Sequence, residues 1–261
     1  MPNTAFQRFL TAILAAGLLF VASSVSVKAQ NKYDVLARVL QPYAALFYSR
    51  ATTKAMQADL ILRDGPPTTT EILDHPLRIF LQMPDKLRIE TLDPQHRLIF
   101  CRNGQKVWVY PHRILVGIVA AGRQPKEERR IPDFRLPLKD QQIIWIPALF
   151  EILRFVSASD GPGTPTWAID FQLVPGIAQA LRCEAWTAGA VVTQNDFQLR
   201  RLRIASSHWT GEINIIACHF EKALPPQTWE PDPDLTNEVT PVPPELFDSA
   251  LESIAAITIP R

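Results

Sequence analysis

The amino-acid sequence predicts an α+β protein whose main element is one antiparallel β-sheet of roughly ten strands. Three observations support this fold class. Apolar residues recur at helical spacing over residues 33–48, apolar and polar residues then alternate along most of the chain from 56 to 221, and short turn sequences separate the alternating runs. An open sheet of this size twists strongly, so we expect it to curl or to close.

The N-terminal segment has the layout of a secretory signal peptide. Arg8 provides a positive charge, an apolar run follows from Phe9 to Val25, and the small residues Val27 and Ala29 precede Gln30. The alternative is an uncleaved membrane anchor, but the run is shorter than the roughly 20 apolar residues that span a bilayer. We therefore predict cleavage before Gln30 and a periplasmic protein. Because no cysteine lies near the cleavage site, the mature N-terminus is not predicted to be acylated.

Residues 33–48 are predicted to form the first helix. Its apolar residues repeat at intervals of three and four, which places them on one helical face: Leu36, Val39, Leu40, Tyr43 and Phe47. Pro42 lies inside this segment and is expected to kink the helix or to split it in two.

The next part of the chain is predicted to be a meander of short strands. Alternation predicts strands over residues 56–62, 77–83, 87–91, 98–100, 106–110 and 113–119. The Asn103-Gly104 pair favours a type I′ hairpin turn, because both residues tolerate a positive φ.

The second half of the domain repeats the order of helix and strands. A second helix is predicted over residues 143–156, although it contains Pro147, and strands are predicted over 167–173, 180–187, 197–205 and 212–221. The alternation slips between Leu199 and Leu202, which indicates a β-bulge. After Leu224 the chain is too rich in proline for regular structure, except for a short terminal helix over residues 245–256. The predicted organisation is a signal peptide (1–29), one domain (30–230) and a proline-rich extension (231–261).

Composition excludes few functions. The formal net charge is +1, so the whole-chain charge gives no reason to expect nucleic acid as a partner. The cysteines are Cys101, Cys183 and Cys218, and an odd number leaves at least one thiol outside any disulfide. The sequence leaves two alternatives open, which are buried thiols throughout or a Cys183–Cys218 bridge.

Motifs for catalysis, metal binding and cofactor binding are absent from the sequence. It contains no G-x-S-x-G, H-E-x-x-H, C-x-x-C, P-loop or dinucleotide glycine pattern. Its five histidines are scattered and are predicted to be surface or strand residues. We therefore predict no catalytic residues, no metal site, no cofactor and no enzymatic activity. Helices over the mouth of a curved sheet could enclose an apolar cavity suited to an acyl chain, and the alternative is that the same residues form a filled core.

Residues 77–111 carry a more specific pattern, LRIFLQMPDKLRIETLDPQHRLIFCRNGQKVWVYP. It combines a strand ending at Met83-Pro84, a strand containing Leu87 and Ile89, the Asn103-Gly104 turn, and an aromatic strand ending at Tyr110-Pro111. This pattern resembles the LolA/LolB-like superfamily of periplasmic lipoprotein carriers, and the resemblance extends loosely over residues 33–230.

The resemblance implies an incomplete β-barrel of about ten to eleven strands, with helices as a lid over a hydrophobic cavity. It also implies a carrier of lipid or of lipoprotein acyl chains towards the outer membrane, working as a monomer between membrane-bound donor and acceptor proteins. Leu87 and Ile89 fall where the family places cavity-lining residues, and alternation adds Leu60, Ile79 and Leu81 to that face. Met83 occupies the lid-contact position, where the carriers have an arginine, so a hydrogen-bonded latch is not expected. The alternative is an interaction or sensor protein with a filled core and no transport role.

Overall fold

The structure is a computed structural model. It describes residues 27–48, 50–65, 70, 72–113, 146–159, 163–181, 186–206 and 209–243. The chain divides into two compact units. Unit 1 comprises residues 1–51, 62–73 and 136–215, and unit 2 comprises residues 52–61, 74–135 and 216–261.

Most of the described chain belongs to one β-sheet. Its strands are β1 (Ala55–Asp64), β2 (Pro76–Gln82), β3 (Lys86–Thr91), β4 (Ile99–Asn103), β5 (Lys106–Tyr110), β6 (Phe150–Ser159), β7 (Pro165–Leu173), β8 (Thr187–Thr193), β9 (Leu199–Ala205), β10 (Thr210–Glu221) and β11 (Thr240–Val242). They form an 11-stranded antiparallel sheet in the order β11-β5-β4-β3-β2-β1-β10-β9-β8-β7-β6. The described sheet begins and ends on different strands and is not closed. The predicted fold class, an incomplete barrel of about ten to eleven strands with helices, is therefore confirmed.

The first helix, α1 (Val27–Phe47), covers the predicted helical segment and begins before it. Pro42 lies inside α1 without splitting it. Val35, Leu36 and Val39 are buried and pack in unit 1 with side chains of β6, β7 and β8, including Ile169 and Val192. The predicted helical face thus contributes Leu36 and Val39 to the core, whereas Val35 and Leu46, which the prediction left out, are also buried. None of the described helices has the length and hydropathy needed to cross a lipid bilayer.

The helix predicted over residues 143–156 is wrong for its described part. Residues Ile146–Leu149 form one turn of 3₁₀ helix, and Phe150 begins the long strand β6. Ile152 and Phe155 lie three residues apart, yet their partners on β7, Phe171 and Ile169, lie only two residues apart. The difference arises because the register shifts between Ile152 and Arg154. This bulge gives apolar residues the i, i+3 spacing of a helix.

The strand predicted over residues 180–187 is wrong at its start, within the described part of that range. A second helix, α2 (Pro175–Leu181), occupies its beginning, and β8 begins only at Thr187. Proline is favoured in the first turn of a helix, so Pro175 is compatible with this assignment. The bulge predicted in β9 is confirmed, because Val191 pairs with Arg201 whereas Val192 pairs with Leu199.

The hairpin between β4 and β5 differs in detail from its prediction. Asn103 pairs with Lys106, so the two central residues of the turn are Gly104 and Gln105. Of these two, Gly104 alone has a positive φ, at 66°. That is the requirement of a type II′ turn rather than type I′.

The chain after Leu224 is more regular than predicted. Residues Pro226–Trp229 form a 3₁₀ helix, and β11 pairs with β5 at the edge of the sheet. Pro241 is compatible with a strand there, because an edge strand has a side that needs no hydrogen-bond donor. The predicted strand beyond Arg113 and the predicted helix over 245–256 lie outside the described residues, as do Cys183 and most of the predicted signal peptide. Cys101 is a buried thiol, and the alternative of a Cys183–Cys218 bridge depends on Cys183, which is among the residues not described.

Candidate functional site

One face of strands β1 to β4 is lined by large apolar side chains. The strand registers place Leu81 opposite both Met56 and Leu87, and Ile79 opposite Ile89, which in turn lies opposite Phe100. Directly opposed residues of antiparallel strands project from the same face of a sheet. We call this set the apolar face: Met56, Leu60, Ile79, Leu81, Leu87, Ile89 and Phe100.

The apolar face lies entirely within unit 2 and contains all five predicted ligand-binding residues. Leu60 is buried, and Leu81, Leu87, Ile79 and Ile89 are each half-buried. Alternation along the sequence therefore placed these residues on one face correctly, whereas their contact with a ligand stays a prediction. Met83, the predicted lid-contact residue, lies in the turn after β2, where its N–H donates to the Lys54 carbonyl at 2.8 Å.

The opposite face of the same strands is covered by the chain itself. Phe80 and Trp108 pack there with Leu224 and Trp229, and Trp229 is 1% exposed. The indole N–H of Trp108 donates to the Trp229 carbonyl at 3.4 Å. Residues 224–232, which we call the covering segment, therefore close one face of the sheet with an apolar core.

A buried arginine holds the covering segment in place. Arg88 on β3 donates to the Glu90 carboxylate, to the carbonyls of Thr228 and Glu230, and to the Asp232 carboxylate, over distances of 2.8–3.2 Å. Burial by itself would lower the pKa of Arg88, but the charges of Glu90 and Asp232 outweigh it, and the pKa is raised. Arg88 is 4% exposed, so its guanidinium serves the fold and is not presented to a ligand.

Cys101 lies on the same covered face. Its thiol is buried, and its Sγ is 3.5 Å from the Trp229 carbonyl. Desolvation raises the pKa of Cys101 to about 12. Because the nucleophile in cysteine chemistry is the thiolate, this residue is protonated and unreactive at neutral pH.

A cluster that sequence reasoning missed lies at one end of β2 and β3. The side chains of His75, Asp93 and His96 converge, with their ligand atoms within 4.8 Å of one another. His75 and His96 were among the histidines interpreted as scattered surface or strand residues, because they lie well apart in sequence. The cluster depends on the register of β2 with β3, and a sequence pattern alone does not determine that register.

Comparison with known proteins gives matches in structure only. No protein-family model matches the chain, and no curated protein matches it in sequence. Among solved structures it is similar to the lipoprotein LppX of Mycobacterium tuberculosis, with 9% identity, a TM-score of 0.40, and coverage of 70% of this chain and 92% of that one.

Two further structures illustrate the range of matches. A chain of the MucA/MucB complex of Pseudomonas aeruginosa matches at 10% identity with a TM-score of 0.42, over 80% of this chain and 63% of that chain. The LolA superfamily protein NE2245 of Nitrosomonas europaea matches at 11% identity with a TM-score of 0.28, over 74% of this chain and 96% of that one.

Proposed function

We propose that this protein binds acyl chains of a lipid or an acylated protein on the apolar face and carries them through the periplasm towards the outer membrane, without covalent chemistry. The observation that carries this proposal is the contrast between the two faces of β1–β4. One face is closed by the covering segment, and the other keeps half-buried apolar side chains such as Leu81, Leu87 and Ile89. A filled core would bury these side chains as fully as Ile99, which is 0% exposed.

The energetics favour a ligand with more than one acyl chain. Each methylene removed from water contributes about 0.8 kcal/mol. A single myristoyl chain nevertheless associates with a membrane with a constant of only about 10⁴ M⁻¹. A ligand with two acyl chains is therefore the suitable probe. Because binding by apolar burial forms no covalent bond, the ligand can be passed on to a partner.

Native mass spectrometry of the mature protein, residues 30–261, tests the proposal. The protein is purified from the periplasm without detergent and then incubated with a diacylated peptide, with the unacylated peptide as control. We expect a discrete adduct with the diacylated peptide alone. A bare mass after both incubations would contradict lipid binding and would favour an interaction protein. The same spectra test export, because the signal-peptide prediction requires a chain that begins at Gln30.

Leu87→Glu tests the position of the binding face. Replacing a half-buried leucine by a carboxylate removes apolar contact worth about 1.5–3 kcal/mol, so we expect about tenfold to hundredfold weaker binding. Leu153→Glu is the matched control, because Leu153 lies on β6 in unit 1 and is 50% exposed. If Leu87→Glu bound the diacylated peptide as tightly as the control, the ligand would not lie on the apolar face.

A further inference from the structure

The cluster of His75, Asp93 and His96 is built by the pairing of β2 with β3. Leu77 pairs with Thr91 at the end of the ladder, and the N–H of Leu92 donates to the Pro76 carbonyl at 2.7 Å. Continuing that register by one residue places His75 opposite Asp93. The loop that follows Asp93 then returns His96 to the same point.

The carboxylate is oriented towards the two imidazoles. Asp93 caps the 3₁₀ helix of residues Pro94–His96, and its Oδ1 accepts the Gln95 N–H at 2.9 Å. Its Oδ2 lies 2.9 Å from Nδ1 of His96 and 3.4 Å from Nδ1 of His75. The cap therefore directs one oxygen of Asp93 towards both rings.

The loop that carries His96 is held by hydrogen bonds to the Thr91 side chain. The buried Thr91 donates its hydroxyl hydrogen to the His96 carbonyl and accepts the Leu98 N–H at 2.8 Å. The side chains of the cluster reach solvent, since His75 and Asp93 are each 29% exposed and His96 is 54% exposed. A rigid backbone with accessible side chains is the arrangement that a small ligand needs.

The two separations between the carboxylate and the imidazoles are close to those of a metal site. Zinc takes imidazole nitrogens and carboxylate oxygens at roughly 2.0–2.2 Å in a tetrahedron, which separates neighbouring ligand atoms by about 3.3–3.5 Å. His75 and Asp93 already have this spacing, and His96 needs to withdraw from Asp93 by a few tenths of an ångström. The ligand atoms as a set lie within 4.8 Å of one another, so the two imidazoles also need to approach each other when an ion binds. Two imidazoles with one carboxylate suit late transition metals, whereas calcium and magnesium need more oxygen ligands.

We propose that His75, Asp93 and His96 bind a divalent late transition-metal ion such as Zn²⁺, with a fourth position open to water. The ion joins the turn before β2 to the loop after β3, and it lies wholly within unit 2. A bound ion stabilises the native state by mass action, so saturation at a hundred times the dissociation constant raises the Tm by about 5–10 °C.

Isothermal titration of the chelator-treated mature protein with ZnCl₂ tests the site. We expect one Zn²⁺ per chain and at least tenfold weaker binding in His75→Gln and in Asp93→Asn, because each variant loses a ligand. The asparagine retains an oxygen that can cap Gln95, so its effect is not a loss of the 3₁₀ helix. His112→Gln is the matched control, because His112 is exposed and contacts Thr240 instead.

X-ray absorption of the zinc-loaded wild type keeps the test independent of variant folding. We expect two imidazoles and oxygen ligands around the ion. A sulfur ligand, fewer than two imidazoles, no zinc binding by the wild type, or unchanged affinity in the His75→Gln variant would each overturn the site. Acyl-chain binding is measured with a different probe and with variants of other residues, so the failure of one proposal is distinguishable from failure of the other.

Discussion

Arg88 is the residue whose removal should cost unit 2 the most stability. In Arg88→Met the carboxylate of Glu90, whose side chain is 15% exposed, loses its cation, and the carbonyls of Thr228 and Glu230 lose their donor. Breaking a buried pair by removing one partner costs about 3–5 kcal/mol when the remaining charge is left without compensation. Glu90 keeps its Coulombic interaction with Arg78, which lies opposite it on β2, so the cost falls at the lower end of that range. We expect a loss of this size in the free energy of unfolding in urea.

Arg154→Met is the control for the Arg88 prediction. Arg154 lies 3.6 Å from Asp170, but the two side chains are 63% and 44% exposed. Solvent-exposed pairs contribute about 0–1 kcal/mol, so this variant should unfold close to the wild-type midpoint. Equal losses in the two variants would show that Arg88 does not hold the covering segment.

At the scale of single residues, the sequence predicted what depends on alternation and missed what depends on pairing. Leu87 and Ile89 were placed on one face because two residues of separation in a strand fix the face. His75 and Asp93 became neighbours only through the register of β2 with β3. Arg88 likewise gives no sign of burial in the sequence, because its partners other than Glu90 lie 140–144 residues away.

At the scale of elements, β6 shows where periodicity misleads. The bulge at Leu153 leaves that side chain 50% exposed, whereas its neighbour Ile152 is 5% exposed. We therefore expect Ile152→Ala to cost about 2–5 kcal/mol and Leu153→Ala to stay within about 0.5 kcal/mol of wild type. Urea unfolding of the pair checks this, and equal losses would contradict the bulge.

The regular strands were predictable, and the misassigned elements have two separate physical causes. β7 alternates through most of its length and β1 does so up to Leu60, so their type and approximate position followed from the sequence. β6 was assigned as a helix because its bulge mimics helical spacing, and β8, whose core residues include the small Ala188 and Ala190, gave a weak signal. Local patterns identify an element only while its geometry remains regular.

At the scale of the whole molecule, the two units have separate cores but share strands. One core contains Ile169 and lies in unit 1, and the other contains Ile99 and lies in unit 2. β1 and β10 each contribute residues to both units, since the divisions fall between residues 61 and 62 and between 215 and 216. Opening either unit alone would therefore require part of each strand to lose its structure.

We consequently expect the mature protein to unfold in one cooperative transition. Ile169→Val and Ile99→Val are matched probes, because both side chains are 0% exposed and each variant removes one methylene from one core. Each should cost about 0.5–1.5 kcal/mol and should lower the same urea midpoint by tryptophan fluorescence and by far-UV circular dichroism. Two transitions, with each variant shifting one of them, would show that β1 and β10 do not couple the cores. If the fluorescence and circular dichroism curves coincide and each variant shifts both of them, destabilising either core destabilises the whole sheet through the shared strands β1 and β10.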